Sequence, residues 1–126
     1  MRPGKTAGKG KNCSDYTAPA QKMGPHVAPL GLQFYTGSQF PAEYKNKLFV
    51  ALHGSWNRTI PNGYKIMIAT IGADSKVVKY EPFAEGWLQK DKKVLGRPTD
   101  IEIAKDGSLL VSDDKNGVIY RIAYKK

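Results

Sequence analysis

From Pro29 onward, apolar and polar positions alternate in short runs and do not recur at the spacing of a helical face. "PLGLQFYT" alternates, "KLFVAL" is a compact apolar run, "YKIMIATI" alternates again, and "KVVKYEPF" follows a Gly-Ala-Asp-Ser turn. Period-two runs bounded by turn chemistry predict β-strands. Three later runs, "TDIEIA", "SLLVSD" and "VIYRIAY", are separated by Asp106-Gly107 and Asn116-Gly117. These dipeptides predict hairpins with type I′ turns, in which both central residues take positive φ. "FPAEYKNK" predicts a helical turn, and no longer amphipathic helix is convincing. The expected fold class is all-β, built from antiparallel strands with short hairpins.

An internal repeat narrows the architecture. "PLGLQF" at 29–34 resembles "PTDIEI" at 98–103, "KLFVALHG" resembles "SLLVSDDK", and "GYKIMI" at 63–68 resembles "GVIYRI" at 117–122. The copies run in the same order, and their offsets shrink from 69 to 61 to 54 residues because the first copy has longer loops after its first two strands. Repeats of three or four short strands with glycine turns mark propeller blades, which stack on neighbours to bury both faces. Two blades cannot close a ring. A small β-sandwich with coincidental strand similarity is the competing reading. Ahead of the strands, residues 1–25 are rich in Gly, Lys, Pro and Ala with no apolar period, and predict a flexible basic lead-in before a folded part at 26–126.

At 126 residues the chain suits one modest domain. A net charge of +9 invites a nucleic-acid reading, yet five of the basic residues fall among the first 22 positions beside a single acid, Asp15. No aromatic residues alternate with them, and no helix-turn-helix or zinc-finger spacing occurs, so no nucleic-acid partner is expected. Cys13 is alone and forms no disulfide within the chain. No apolar stretch reaches membrane-span length, and the N-terminus lacks the apolar region of a signal peptide. "GKTAGKGK" has one residue too few between Gly4 and Gly8 for a phosphate loop, and Gly10 stands where Ser or Thr is needed. "SDDKNG" fails as a calcium loop because Ser112 and Ala123 occupy its first and twelfth ligand positions. Asp113 and Asp114 therefore read as turn residues, and no metal ligands are assigned.

The candidate chemistry sits at strand ends. "HGSWNR" follows the second strand of the first copy, and "DDKNG" takes the same place in the second. Arg97 precedes the first strand of the second copy, where the first copy has Ala28, so the repeat itself does not require it. An arginine offers a planar fork of donors matched to carboxylates. Arg58 and Arg97 converging on one mouth would suit a planar polyanion, with directional hydrogen bonds from His53 and Asn57 and a flat apolar wall from Trp56. Structural roles compete for each: Trp56 as core packing, Arg58 as a surface ion pair. No Gly-x-Ser-x-Gly elbow or complete catalytic set is present, and no catalytic residue is assigned.

The segments "GPHVAPLGLQFYTG", "FPAEYKNKLFVALHGSWNR", "PNGYKI", "EPFAEGWL" and "GRPTDIEIAKDGSLLVSDDKNGVIYRI" together resemble the C-terminal part of the glucose/sorbosone dehydrogenase family, in particular its sorbosone dehydrogenase-like branch. The resemblance spans residues 13–124. It implies a six-bladed propeller that holds pyrroloquinoline quinone at its channel mouth and oxidises a sugar or related aldehyde. Arg97 matches a cofactor-contacting arginine of that family, and "HGSWNR" matches the motif beside the cofactor, which makes His53 and Arg58 the next choices. Some relatives carry a second arginine where this chain has Thr99. The resemblance also implies calcium held mostly by ligands outside this chain, a catalytic histidine in an earlier blade, a partner for Cys13 upstream, and export to the periplasm or medium. Neither His26 nor His53 takes the place of that histidine. The expected whole is a fragment of about two blades whose open edges favour self-association. A non-catalytic β-repeat module binding carbohydrate or protein is the alternative.

Overall fold

The computed structural model describes residues 9–125. Their strands are β1 (Pro29–Phe34), β2 (Leu48–Leu52), β3 (Lys65–Ile71), β4 (Val77–Ala84), β5 (Pro98–Ile103), β6 (Leu109–Asp113) and β7 (Val118–Ile122). They form two antiparallel sheets, one ordered β1-β2-β3-β4 and the other β5-β6-β7. Helical structure among the described residues amounts to single 3-10 turns at Cys13–Asp15 and Ala42–Tyr44, the second within the predicted "FPAEYKNK". None of the described helices is long and apolar enough to cross a membrane. The fold is all-β and matches part of a propeller.

The repeat in the sequence is a repeat in space. β1 and β5, β2 and β6, and β3 and β7 are equivalent, and both first hairpins carry a register irregularity at the same place, between Pro29 and Leu32 and between Pro98 and Ile101. The first strands lie close together. A Cβ on Gly31 would sit 2.6 Å from the Asp100 Cα, so only glycine permits that approach.

Between the sheets, Tyr35, Phe49, Ile66 and Ile68 pack on Ile101, Leu109 and Val111. Fully burying a side chain of this kind contributes about 1.5–3 kcal/mol, so this interface is the main apolar support of the two-sheet unit. Edge-on aromatic contacts tighten it, with the Phe49 and Phe83 centroids 4.7 Å apart. The Tyr35 hydroxyl donates to the Gly107 carbonyl at 2.8 Å and accepts from the Gln39 and Phe40 amides at 3.1 and 2.9 Å. One buried phenol thus joins the loop after β1 to the β5–β6 turn.

Two local expectations change. The alternation in "YKIMIATI" suggests one buried face, yet Ile66, Met67, Ile68 and Ala69 are all buried. Met67 joins Val50, Leu52 and Val27 in a second cluster, with Met23 packed against it, so the chain ahead of β1 covers part of the opposite face. Nor do the turns have the I′ form, because Gly107 and Gly117 alone, not Asp106 or Asn116, take positive φ (85° and 63°). The loops are longer than two residues: the Ala104 amide donates to Ser108 across one, and the Gly117 amide to Asp113 within the other. At the first, the Asp106 carboxylate accepts from the Ser108 amide and hydroxyl, which lets a non-glycine residue close the turn. Residues 1–8 of the expected lead-in lie outside the described residues. From Lys9 to Pro25 the chain has one 3-10 turn and no strand, with Cys13 exposed.

Candidate functional site

β1 begins and β2 ends at one rim of the two-sheet unit, and β5 begins and β6 ends beside them. The amides of His53 and Gly54 donate to the carbonyls of Ala28 and Val27 (3.0 and 2.9 Å), which ties the segment after β2 to the entry of β1. Backbone here is held in unusual conformations: Gly54 has φ +97°, and His26, Ala28, Asn57 and Tyr64 all lie at positive φ. A Cβ on Gly54 would fall inside the ring of Tyr64, and Tyr64 is 3% exposed. With the Tyr64 ring in place, position 54 accepts only glycine.

Arg97 lies on this floor. Its guanidinium carbon is 5.0 Å from the Tyr64 ring centroid, within cation–π range. Nη2 donates to the Ser55 carbonyl at 3.1 Å and to the Tyr64 hydroxyl at 3.4 Å, and that hydroxyl itself donates to the Ser55 carbonyl. Nη1 makes only long contacts, 3.5 Å to His53 Nδ1 and 3.5 Å to the Gly54 carbonyl. The Arg97 Nε–H has no hydrogen-bond partner among the described residues. One edge of the guanidinium is anchored and the other is weakly held, so an anion could displace the contacts on Nη1.

Two consecutive aspartates complete the site. Asp113, 2% exposed, accepts at Oδ1 from the amides of Arg97, Lys115 and Asn116, and at Oδ2 from the Asn116 side chain and the Tyr120 hydroxyl, all at 2.8–3.1 Å. Burial acts to raise its pKa and is the largest single influence. The hydrogen bonds from the Arg97 amide, the Asn116 side chain, the Tyr120 hydroxyl and the Asn116 amide together outweigh it and hold the carboxyl below its ordinary value. Asp114 is exposed and meets His53 Nε2 at 2.9 and 3.0 Å.

Of the residues singled out in the sequence, Arg97 and His53 are brought together. Trp56, Asn57 and Arg58 stand on the exposed loop that follows, the indole 77% accessible, so Trp56 is not core packing. Arg58 donates from Nε to the Ile60 carbonyl in its own loop at 3.1 Å. Sequence reasoning missed Tyr64, Ser55, Asp113 and Asp114 as parts of the site. The signal for the aspartates was present, because the repeat aligns "HG" with "DK". Among the described residues no group of three or more His, Cys, Asp or Glu side chains could hold a metal ion.

Two antiparallel β-sheets in tandem, with an arginine fork at the shared rim, define a partial propeller. A family model described as TrAA12-like matches residues 2–125, and the chain belongs to that family. It is 51% identical over 102 residues to an uncharacterised protein of Borreliella burgdorferi, covering 80% of this chain and 27% of that one. It is 44% identical over 123 residues to a pyrroloquinoline quinone-dependent pyranose dehydrogenase of Coprinopsis cinerea, covering 82% of this chain and 16% of the relative. Among solved structures, the holo form of the pyranose dehydrogenase PQQ domain from Coprinopsis cinerea matches with TM-score 0.53 and 28% identity, covering 79% of this chain and 27% of that one. The calcium structure of the Trichoderma reesei carbohydrate-active enzyme of family AA12 matches in fold, with TM-score 0.60 and 23% identity, covering 76% and 24%. The chain thus spans about a quarter or less of the lengths of these relatives. Of these relatives, the Coprinopsis cinerea proteins carry the expected quinone in their names, and the activity named there is pyranose dehydrogenase.

Proposed function

We propose that this chain forms part of the quinone-binding mouth of a pyrroloquinoline quinone-dependent sugar dehydrogenase. The observation that carries the reading is the Arg97 guanidinium, anchored on Ser55 and Tyr64 through Nη2 while Nη1 has only two long contacts, to His53 and the Gly54 carbonyl, that leave it able to turn to a closer acceptor. A planar polycarboxylate fits that donor set, because carboxylate oxygens accept charge-assisted bonds from a fixed fork. Trp56 offers an exposed flat wall on the neighbouring loop, with Asn57 and Arg58 as further donors. When bound, the quinone supplies a two-electron acceptor for sugar oxidation.

The chain's own residues bind and orient. Arg97 neutralises a carboxylate, and Asp113 fixes where Arg97 leaves the backbone. His53 contributes a ring edge beside the guanidinium. The substrate in this reading is a pyranose or related aldehyde sugar, with the sorbosone branch as the finer assignment, and the setting is secreted or periplasmic. Calcium ligands and the catalytic base come from outside this stretch. The open sheet faces are covered by further blades or by a second copy of the chain.

Titration of the full chain with pyrroloquinoline quinone, calcium present, tests this. Saturable binding that Arg97→Ala abolishes while the far-ultraviolet circular dichroism is kept is the expected result. A folded chain with no quinone binding, or binding indifferent to Arg97→Ala, would overturn it and favour a non-catalytic carbohydrate- or protein-binding module.

A further inference from the structure

His53 meets a partner at each ring nitrogen, closely at Nε2 and at 3.5 Å at Nδ1, and the partners differ in kind. An ionised carboxylate only accepts hydrogen bonds, and a guanidinium only donates them. Asp114 at Nε2 therefore requires the proton of the neutral ring on Nε2, and Arg97 at Nδ1 requires the lone pair there. We infer that Asp114 is a positioning residue for the mouth: by holding His53 as the Nε2–H tautomer, it keeps the Nδ1 lone pair aimed at Arg97 and sets the direction of Nη1. The inference takes its ligand from the quinone reading, but its geometry stands without it.

Three features distinguish this contact from an ordinary surface ion pair. His53 and Asp114 are equivalent positions of the repeat, 61 residues apart, each the first residue past its second strand, so the contact bridges the two sheets at matching points. The neighbouring Asp113 holds the Arg97 amide, so consecutive aspartates govern one arginine, one at its backbone and one through His53 at its guanidinium. Finally, Nη2 is already fixed by Ser55 and Tyr64, which leaves Nη1, shared between His53 Nδ1 and the Gly54 carbonyl at 3.5 Å each, as the donor that His53 helps to aim. Because Asp114 is exposed, the pair adds little to folding stability. Its effect should fall on Arg97 instead.

Nuclear magnetic resonance of the nitrogen-15-labelled full chain tests the geometry. Wild type should show His53 protonated at Nε2 and resolved Arg97 Nη1 protons; Asp114→Ala should lose both signatures while the Nη2 protons stay resolved, and Asp114→Glu should restore them. In quinone titrations Asp114→Ala should weaken binding roughly three- to tenfold, with no further loss when added to His53→Ala, while the urea midpoint hardly moves. A His53 proton on Nδ1, unchanged Arg97 signals in Asp114→Ala, or equal weakening by Asp114→Ala with and without His53 would overturn the inference. If the wild-type chain does not bind the quinone, the function reading fails, and the resonance spectra alone decide the positioning role.

Discussion

Replacing Asp113 with Asn should destabilise the chain more than a single polar substitution ordinarily does. The carboxylate accepts five hydrogen bonds, three of them from backbone amides at Oδ1. Asparagine can keep the Oδ1 set, but its amide nitrogen would face the Asn116 side chain and could no longer accept from it. Hydrogen bonds to a charged acceptor contribute about 1.5–3 kcal/mol each, and an unpaired buried donor costs about 1–3 kcal/mol. Tyr120 can reverse its hydroxyl and accept, so we expect a net loss of roughly 2–4 kcal/mol at pH 7. With a urea m-value of about 1–3 kcal/mol/M, the midpoint should fall by about 1–2 M, read by fluorescence of Trp87, which stacks edge-on with Tyr120. The pH dependence carries a sign. Since the folded pKa lies below the ordinary value near 4, the carboxylate's stabilisation is complete above that value and is lost as pH falls through the lowered folded one. The difference between wild type and Asp113→Asn should accordingly be constant from pH 7 to about 5 and shrink below about 4. A midpoint shift under about 0.3 M, or a difference that does not shrink in acid, would refute the reasoning.

Gly54→Ala combines a positive φ that L-residues resist with a Cβ driven into the buried Tyr64 ring; we expect a loss of about 2–4 kcal/mol by urea unfolding, partly recovered when Tyr64→Leu is added. Tyr35→Phe should cost about 1.5–3 kcal/mol, because it strips the Gln39 and Phe40 amides and the Gly107 carbonyl of their shared partner. Tyr80→Phe provides the contrast. Its buried hydroxyl has no hydrogen-bond partner among the described residues, and burial raises its pKa, so deleting the oxygen should be neutral or stabilising by up to about 1 kcal/mol in the same assay.

Strand positions were legible because period-two apolar runs and Gly-containing turns survive in one dimension, and the repeat revealed that β1–β3 and β5–β7 are equivalent. Legibility failed where a second layer intervened. Nothing in "YKIMIATI" tells that Met23 and Val27 fold back over its other side. In the site, Arg97 stood out as the residue the repeat did not require, and His53 by its place after a strand. Tyr64 was hidden because its role depends on a close approach to Gly54, a contact of backbone with ring that no residue pattern encodes. Asp113 looked like a turn residue, but it is the buried last residue of β6 whose side chain caps the turn that follows; that its second oxygen meets Tyr120, a strand away, is a consequence of pairing in space. Arg58 holds a carbonyl of its own loop through Nε, a local contact that its closeness in sequence to His53 does not announce.

The equivalence of the two sheets also gives their stack a direction. Leu109, Val111 and Asp113 of β6 face the first sheet, whereas their counterparts Leu48, Val50 and Leu52 face away from the second. Phe49 and Ala51 look inward, and their counterparts Leu110 and Ser112 line the far surface beside Ile119. The interface therefore joins unlike sides, leaving one of each kind at the two ends: a leading side with Leu30, Leu32 and Phe34 half exposed, and a trailing side with Ile119 open to solvent. A contact of this sort is heterologous, and it ends only when an arc closes on itself. The unit behaves as a tile with a head and a tail, so blocking one end with a charge at Leu32 cannot be compensated by repairing the other at Ile119.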